Sequence, residues 1–151
     1  MSEASFSHVL YIHATPEEVW DGLTDSDLTS RYWFHDNVSD WAVGSDWTHR
    51  RTDEQGTVDI AGTVLDSDPP NRLVLSWARP DDVGDPARTS RVTIEISPQD
   101  EWPLGPWTGL RLEHSEFGAD REMRDSVSFG WPAVLSGLKS ILERPDIFEL
   151  E

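Results

Sequence analysis

A chain of 151 residues has the length of one ordinary domain, and a domain of that size buries about 70% of the surface its unfolded chain exposes, enough for one real core. Twenty-nine acidic against twelve basic side chains leave a net charge of −17, a field that repels nucleic-acid phosphates and anionic membrane surfaces and sets both aside as partners. With no cysteine there are no disulfides, thiolate metal sites or thiol nucleophiles, and with neither a long apolar run nor a basic-then-apolar leader the chain is expected to be cytoplasmic, without a membrane span or signal peptide.

Residues 6–13 alternate, His8, Leu10 and Ile12 on one face and Val9 and Tyr11 on the other, as a first strand does. Thr15, Pro16 and Glu18 then spell a helix start: a threonine cap, proline in the first turn, and glutamate three positions after the cap. Val19, Trp20 and Leu23 form the buried side of that short helix. Asp25 or Ser26 caps a second one through Leu28 and Tyr32, so two short helices follow strand one. Trp33, Phe34 and Trp41 lie in a stretch without periodicity, expected to be a loop leaning its rings on the sheet.

Gly44 opens the next strand, in which Trp47 and His49 share a face. A polar turn over 53–56 leads to a strand over 57–65, and Pro69-Pro70-Asn71 breaks the chain before Leu73, Leu75 and Trp77 alternate against Val74, Ser76 and Ala78. Residues 79–87 are polar enough to be an exposed hairpin loop. Val92, Ile94 and Ile96 point inward in the following strand, 98–106 reads as another turn, and Leu110, Leu112 and His114 share a face in the last strand. These six strands, joined mainly by short turns, imply an antiparallel meander with one covered face.

What covers it is the stretch 125–143, where Val127, Trp131, Val134, Leu135, Leu138, Ile141 and Leu142 recur at steps of three and four and fall on one helical stripe. Pro132 either starts that helix or bends it. A bend is the better reading, because 121–129 contains neither glycine nor proline. No internal repeat and no second domain are visible, so residues 1–151 are expected to form a single domain.

Several local sequences, in this order and spacing, resemble the landmarks of a known family. They are Ala14-Thr15-Pro16-Glu17-Glu18-Val19-Trp20, then 28–33 (LTSRYW), then Asp68-Pro69-Pro70-Asn71-Arg72-Leu73 with Trp77, then Leu112-Glu113-His114-Ser115-Glu116-Phe117, then Gly130-Trp131-Pro132 with Leu135 and Leu138. The chain resembles, over nearly its whole length, the START-like (SRPBCC) proteins of the bacterial branch related to the C-terminal domain of the activator of heat-shock-protein-90 ATPase. The resemblance implies an α+β helix-grip fold: a curved antiparallel sheet, six-stranded here, around a long C-terminal helix, with two short helices after strand one and often a cavity between sheet and helix. That activator also carries an N-terminal domain, which 151 residues leave no length to build, so chaperone stimulation is not expected to carry over.

Metal is not expected, since His8 and His13 face opposite ways and no carboxylate cluster or H-E-x-x-H accompanies any histidine. Nucleophile-elbow, dinucleotide and phosphate-loop motifs are missing too, so neither a catalytic residue nor a cofactor is assigned. His114 is the ionisable residue of most interest: on an inward face it either anchors a ligand carbonyl or acts as a base, or it is a core histidine satisfied by the protein itself. The family resemblance favours the last. Trp33, Trp47, Trp77, Leu112, His114, Trp131 and Leu135 form the expected ligand cavity, with a packed, pocketless core as the rival arrangement. The first functional expectation is non-enzymatic binding of a small hydrophobic or aromatic molecule, lipids included, by a monomer or homodimer. The alternatives are a polyketide cyclase- or dehydratase-like enzyme using the same cavity with His114 as acid or base, and a chaperone-type protein-interaction module.

Overall fold

Seven antiparallel strands follow one another in the sheet order β1-β7-β6-β5-β4-β3-β2 in the computed structural model, which describes residues 5–100, 107–118 and 120–148. The strands are β1 (Phe6–Ile12), β2 (His35–Val38), β3 (Asp46–Arg51), β4 (Val58–Asp68), β5 (Arg72–Trp77), β6 (Ser90–Pro98) and β7 (Thr108–Ser115). Helices α1 (Pro16–Thr24) and α2 (Ser26–Tyr32) fill the gap between β1 and β2, and α3 (Arg121–Glu143) runs along the covered face. Register shifts in β3 beyond His49 and in β4 beyond Val64 interrupt the ladders, the kind of irregularity that bends a strand and sharpens its twist. The result is a sheet curled around α3.

The strand count corrects the six expected from sequence. β2 is the extra strand, and it falls where a loop was expected. Its four residues, His-Asp-Asn-Val, are too few and too polar to show alternation, and they pair only along one side, with β3. The turn expected over 98–106 lies largely outside the described residues, and Pro98 itself ends β6.

Helix starts follow the capping chemistry. Thr15 Oγ1 accepts from Glu18 N at 3.1 Å while Glu18 Oε1 accepts from Thr15 N at 2.9 Å, satisfying two N–H groups that the first turn of α1 would otherwise leave bare. Asp120 Oδ1 caps α3 by accepting from Met123 N at 3.0 Å. Pro132 sits inside α3, which continues through it as one helix. The buried stripe of α3 is Met123, Val127, Trp131, Leu135, Leu138 and Ile141, and it packs on the inward residues of β5, β6 and β7 in one core with Ile12, Val19 and Leu23. Gly22 in α1 makes this possible, because any Cβ there would collide with the Leu138 side chain.

Candidate functional site

The core is not filled everywhere. Between the β2–β4 end of the sheet and the middle of α3 lies a cavity of about 240 Å³ walled by Trp33, Trp77, Trp131, Ile60, Met123, Val127 and Val134, with His35, His49, Asp59 and Ser126 as its polar members. Gly130 also faces it. A Cβ at Gly130 would meet nothing within 4 Å, so the glycine leaves the space open on the helix side.

Each wall ring is fixed by the local fold. α2 ends at Trp33 with right-handed backbone, and Phe34 follows at φ 57°, a left-handed conformation more usual for glycine at a helix end. The reversal puts Trp33 and His35 on the cavity and leaves Phe34 exposed. Phe34 O is held by Thr52 N at 3.2 Å. Trp33 meets Trp131 edge-on at 5.5 Å between centroids, and Trp77 lies 5.3 Å from Trp131, distances at which aromatic pairs attract beyond their simple burial.

Behind these rings stands His114, fully buried on β7. Trp131 Nε1 can only donate, so His114 Nδ1 accepts from it, at 3.0 Å. The ring proton is therefore on Nε2, which donates to Ser90 Oγ at 2.7 Å, and Ser90 donates onward to Trp77 O at 3.1 Å. Burial pushes the His114 pKa down to about 3. Both nitrogens are engaged, so this histidine braces Trp131 and Trp77 and offers a substrate nothing.

The polar side of the cavity comes from β2, β3 and β4. His35 lies flat on His49, centroids 3.9 Å apart and rings within 4° of parallel. His35 Nδ1 faces the Trp33 carbonyl at 2.8 Å and Nε2 faces Asp59 Oδ2 at 2.9 Å. The ring is thus held between the Trp33 carbonyl and the Asp59 carboxylate, with neither nitrogen left over for a ligand. Asp59 also accepts from Arg51 Nε at 2.8 Å, and that bond is the main reason its carboxyl titrates below the ordinary carboxylate range. His49 is held from the other side, its Nδ1 2.6 Å from Asn37 Oδ1. Burial first, and the neighbouring His35 second, bring the His49 pKa down to about 3.

Of the residues expected at a cavity, Trp33, Trp77 and Trp131 line this one. Trp47 lies one layer out, 5.5 Å from Trp77, with its Nε1 donating to Ser76 O at 2.8 Å. His114 stands behind Trp131, while Leu112 and Leu135 are fully buried in the main core and are not part of the cavity wall. The expected set did not include His35, His49 and Asp59. For His49 the signal was present in its shared face with Trp47; for His35 it was not, because the strand that carries it has no pattern to read. Among the described residues no three His, Asp or Glu side chains gather as a metal ligand set.

The family model described as Activator of Hsp90 ATPase homolog 1-like protein matches residues 13–143. The chain belongs to that family. None of the curated proteins matches it in sequence. Among solved structures, a protein from Mesorhizobium loti is 29% identical, with a TM-score of 0.70 over 91% of this chain and 97% of that one. The Aha1 dimer from Colwellia psychrerythraea is 20% identical with a TM-score of 0.71, covering 93% of this chain and 97% of its own. An HSP90 activator from Plasmodium falciparum is 21% identical with a TM-score of 0.69, covering 92% and 96%. At those last two identities the likeness is one of fold. The START-like helix-grip expected from sequence is the fold of this family member, and among its described residues no helix is long and apolar enough to cross a membrane.

Proposed function

We propose that this chain binds one small, flat, apolar molecule in the cavity between the β2–β4 end of the sheet and α3, without transforming it. What carries the reading is a preformed space of about 240 Å³ walled mostly by indole rings and aliphatic side chains, with Trp131 already locked by its bond to His114 and Trp33 and Trp77 packed against it. A preorganised wall leaves little ordering cost for a ligand to offset. The volume falls below the roughly 300–1,000 Å³ typical of drug-sized pockets, which suits a molecule of one or two rings.

The enzymatic alternative needs an acid and a base converging on the substrate. His114 is committed at both nitrogens, and His49, with its pKa near 3, is too weak a base to remove a proton at neutral pH. Binding is favoured over chemistry on those grounds. A protein-interaction role, suggested by the HSP90 activator among the structural neighbours, draws on Phe34 and Phe129, which are 69% and 89% exposed. Stimulation of a Hsp90 ATPase that is lost in Phe129→Ser would establish it.

The pocket reading is tested by filling the pocket. Gly130→Leu adds a side chain on the cavity side of α3 and replaces a poor helix former with a good one, so the protein stays folded. Naphthalene, followed by tryptophan emission, is expected to bind the wild type saturably and the variant not at all. Equal binding to a folded Gly130→Leu protein would place the probe elsewhere and refute the reading.

A further inference from the structure

Three polar groups of the cavity wall keep an atom without a hydrogen-bond partner among the described residues, Asp59 Oδ1, Ser126 Oγ and His49 Nε2, and the last is the one set among the aromatic rings. Asn37 Nδ2 donates to Leu23 O at 3.2 Å, which orients the amide so that its Oδ1 must be the partner of His49 Nδ1 at 2.6 Å. A carbonyl oxygen only accepts, so Nδ1 carries the His49 proton and Nε2 keeps a bare lone pair. Among the described residues Nε2 has no hydrogen-bond partner, yet it is not sealed from solvent, and His49 lines the cavity. Trp77 Nε1 is the contrasting case, unpaired but sealed. The His49 ring cannot turn to satisfy itself, being stacked on His35 at 3.9 Å and met by Trp33 at 4.6 Å.

The charges beside it point the same way. His35 is committed to Asp59, while Asp59 has Arg51 as a second partner. An entering anion would meet the Asp59 carboxylate with no free cation to receive it. Where the wall continues outward past Asp59 and Ser126, the adjoining recess adds Asp81 and Asp82, and its one arginine, Arg79, is engaged by Asp120 and Glu122.

Resting on the pocket reading and deepening it, we propose that the ligand is an uncharged or cationic aromatic molecule bearing an O–H or N–H donor, a phenol or an aryl amide for example, whose donor is received by His49 Nε2. A hydroxyl on the ring finds its acceptor there, and a carboxylate on the same ring is turned away. The tautomer lock through Asn37 and Leu23 is what holds the lone pair toward the ligand.

The test compares three naphthalenes of similar shape. 2-Naphthol is expected to bind the wild type about three- to tenfold tighter than 2-methoxynaphthalene, the worth of one hydrogen bond, while 2-naphthoate shows no saturable binding. In His49→Phe the first two should converge to one affinity. Should that variant not fold, ¹⁵N NMR of the wild type answers instead: the His49 Nε2 resonance moves on saturation with 2-naphthol and stays with 2-methoxynaphthalene. Equal affinities in the wild type, a preference that survives His49→Phe, tight 2-naphthoate binding, or an unmoved Nε2 resonance would each overturn the proposal while leaving the pocket intact. If none of the three binds, the pocket reading falls with it.

Discussion

His49 and His114 sit on inward strand faces in similar burial, and what separates them is their partners: Ser90 and Trp131 close both nitrogens of His114, whereas Asn37 closes only one of His49. Both are held neutral, with pKa values brought from 6.5 to about 3, burial being the chief cause in each. A folded value below the unfolded one means that the unfolded chain takes up protons first as the solution is acidified. The stability they contribute is therefore complete above pH 6.5 and is lost as the pH falls toward 3. Denaturant unfolding at pH 6 and pH 5 should differ by roughly 2–3 kcal/mol in favour of pH 6. A difference under about 1 kcal/mol would mean that one of the two rings protonates without unfolding the chain. Alternation along β3 and β7 announces that both histidines face inward. It does not announce which keeps a free nitrogen, because that depends on Asn37 in β2 and Ser90 in β6, brought alongside only by strand pairing.

Among the elements, α3 is the most legible, since an apolar stripe recurring every three or four residues over five turns matches the helical period and not the two-residue period of a strand. Leu135 lies at its centre, fully buried, and it faces the packed core rather than the cavity. Leu135→Ala is accordingly expected to cost about 2–5 kcal/mol by equilibrium denaturation, and a loss of a few tenths would contradict the organising role of this helix. The helix start is less legible. Asp120 is 4% exposed and, besides capping α3, receives Arg79 Nη1 at 2.6 Å and faces Arg88 Nη2 at 3.5 Å, tying the loop after β5 to the helix. Asp120→Asn keeps an oxygen for the cap and removes the charge. It should cost about 1.5–3 kcal/mol, the range for hydrogen bonds to charged groups, with little change in helix content by circular dichroism. β2 leaves no pattern in the sequence because a four-residue edge strand owes its existence to β3 beside it and to contacts with α2, such as Asn37 N donating to Thr29 Oγ1 at 3.2 Å. His35, one of the four polar members of the cavity wall, is hidden with it.

Over the whole molecule two electrostatic effects oppose each other when salt is added. Arginines and the one lysine form many ion pairs, but most members are substantially exposed, as in Arg51–Asp59 with 50% and 29% of the side chains open to solvent or Arg144–Asp146 with 65% and 63%. Pairs of that kind are worth about 0–1 kcal/mol each. Against them stands a net charge of −17, whose mutual repulsion favours the expanded chain and acts over longer distances than any single pair. A Debye length near 10 Å at 0.1 M salt suppresses the long-range repulsion first and touches contacts of about 3 Å much less. Repulsion is thus the larger effect removed, and raising sodium chloride from about 0.01 M to about 0.15 M should increase the melting temperature. In a chain of this length each 1 kcal/mol gained appears as about 2–4 °C, so calorimetry resolves it. Sodium chloride also discriminates between the two effects: a melting temperature that falls over this range would show that the Arg79–Asp120–Arg88 group and the other pairs outweigh the excess of carboxylates.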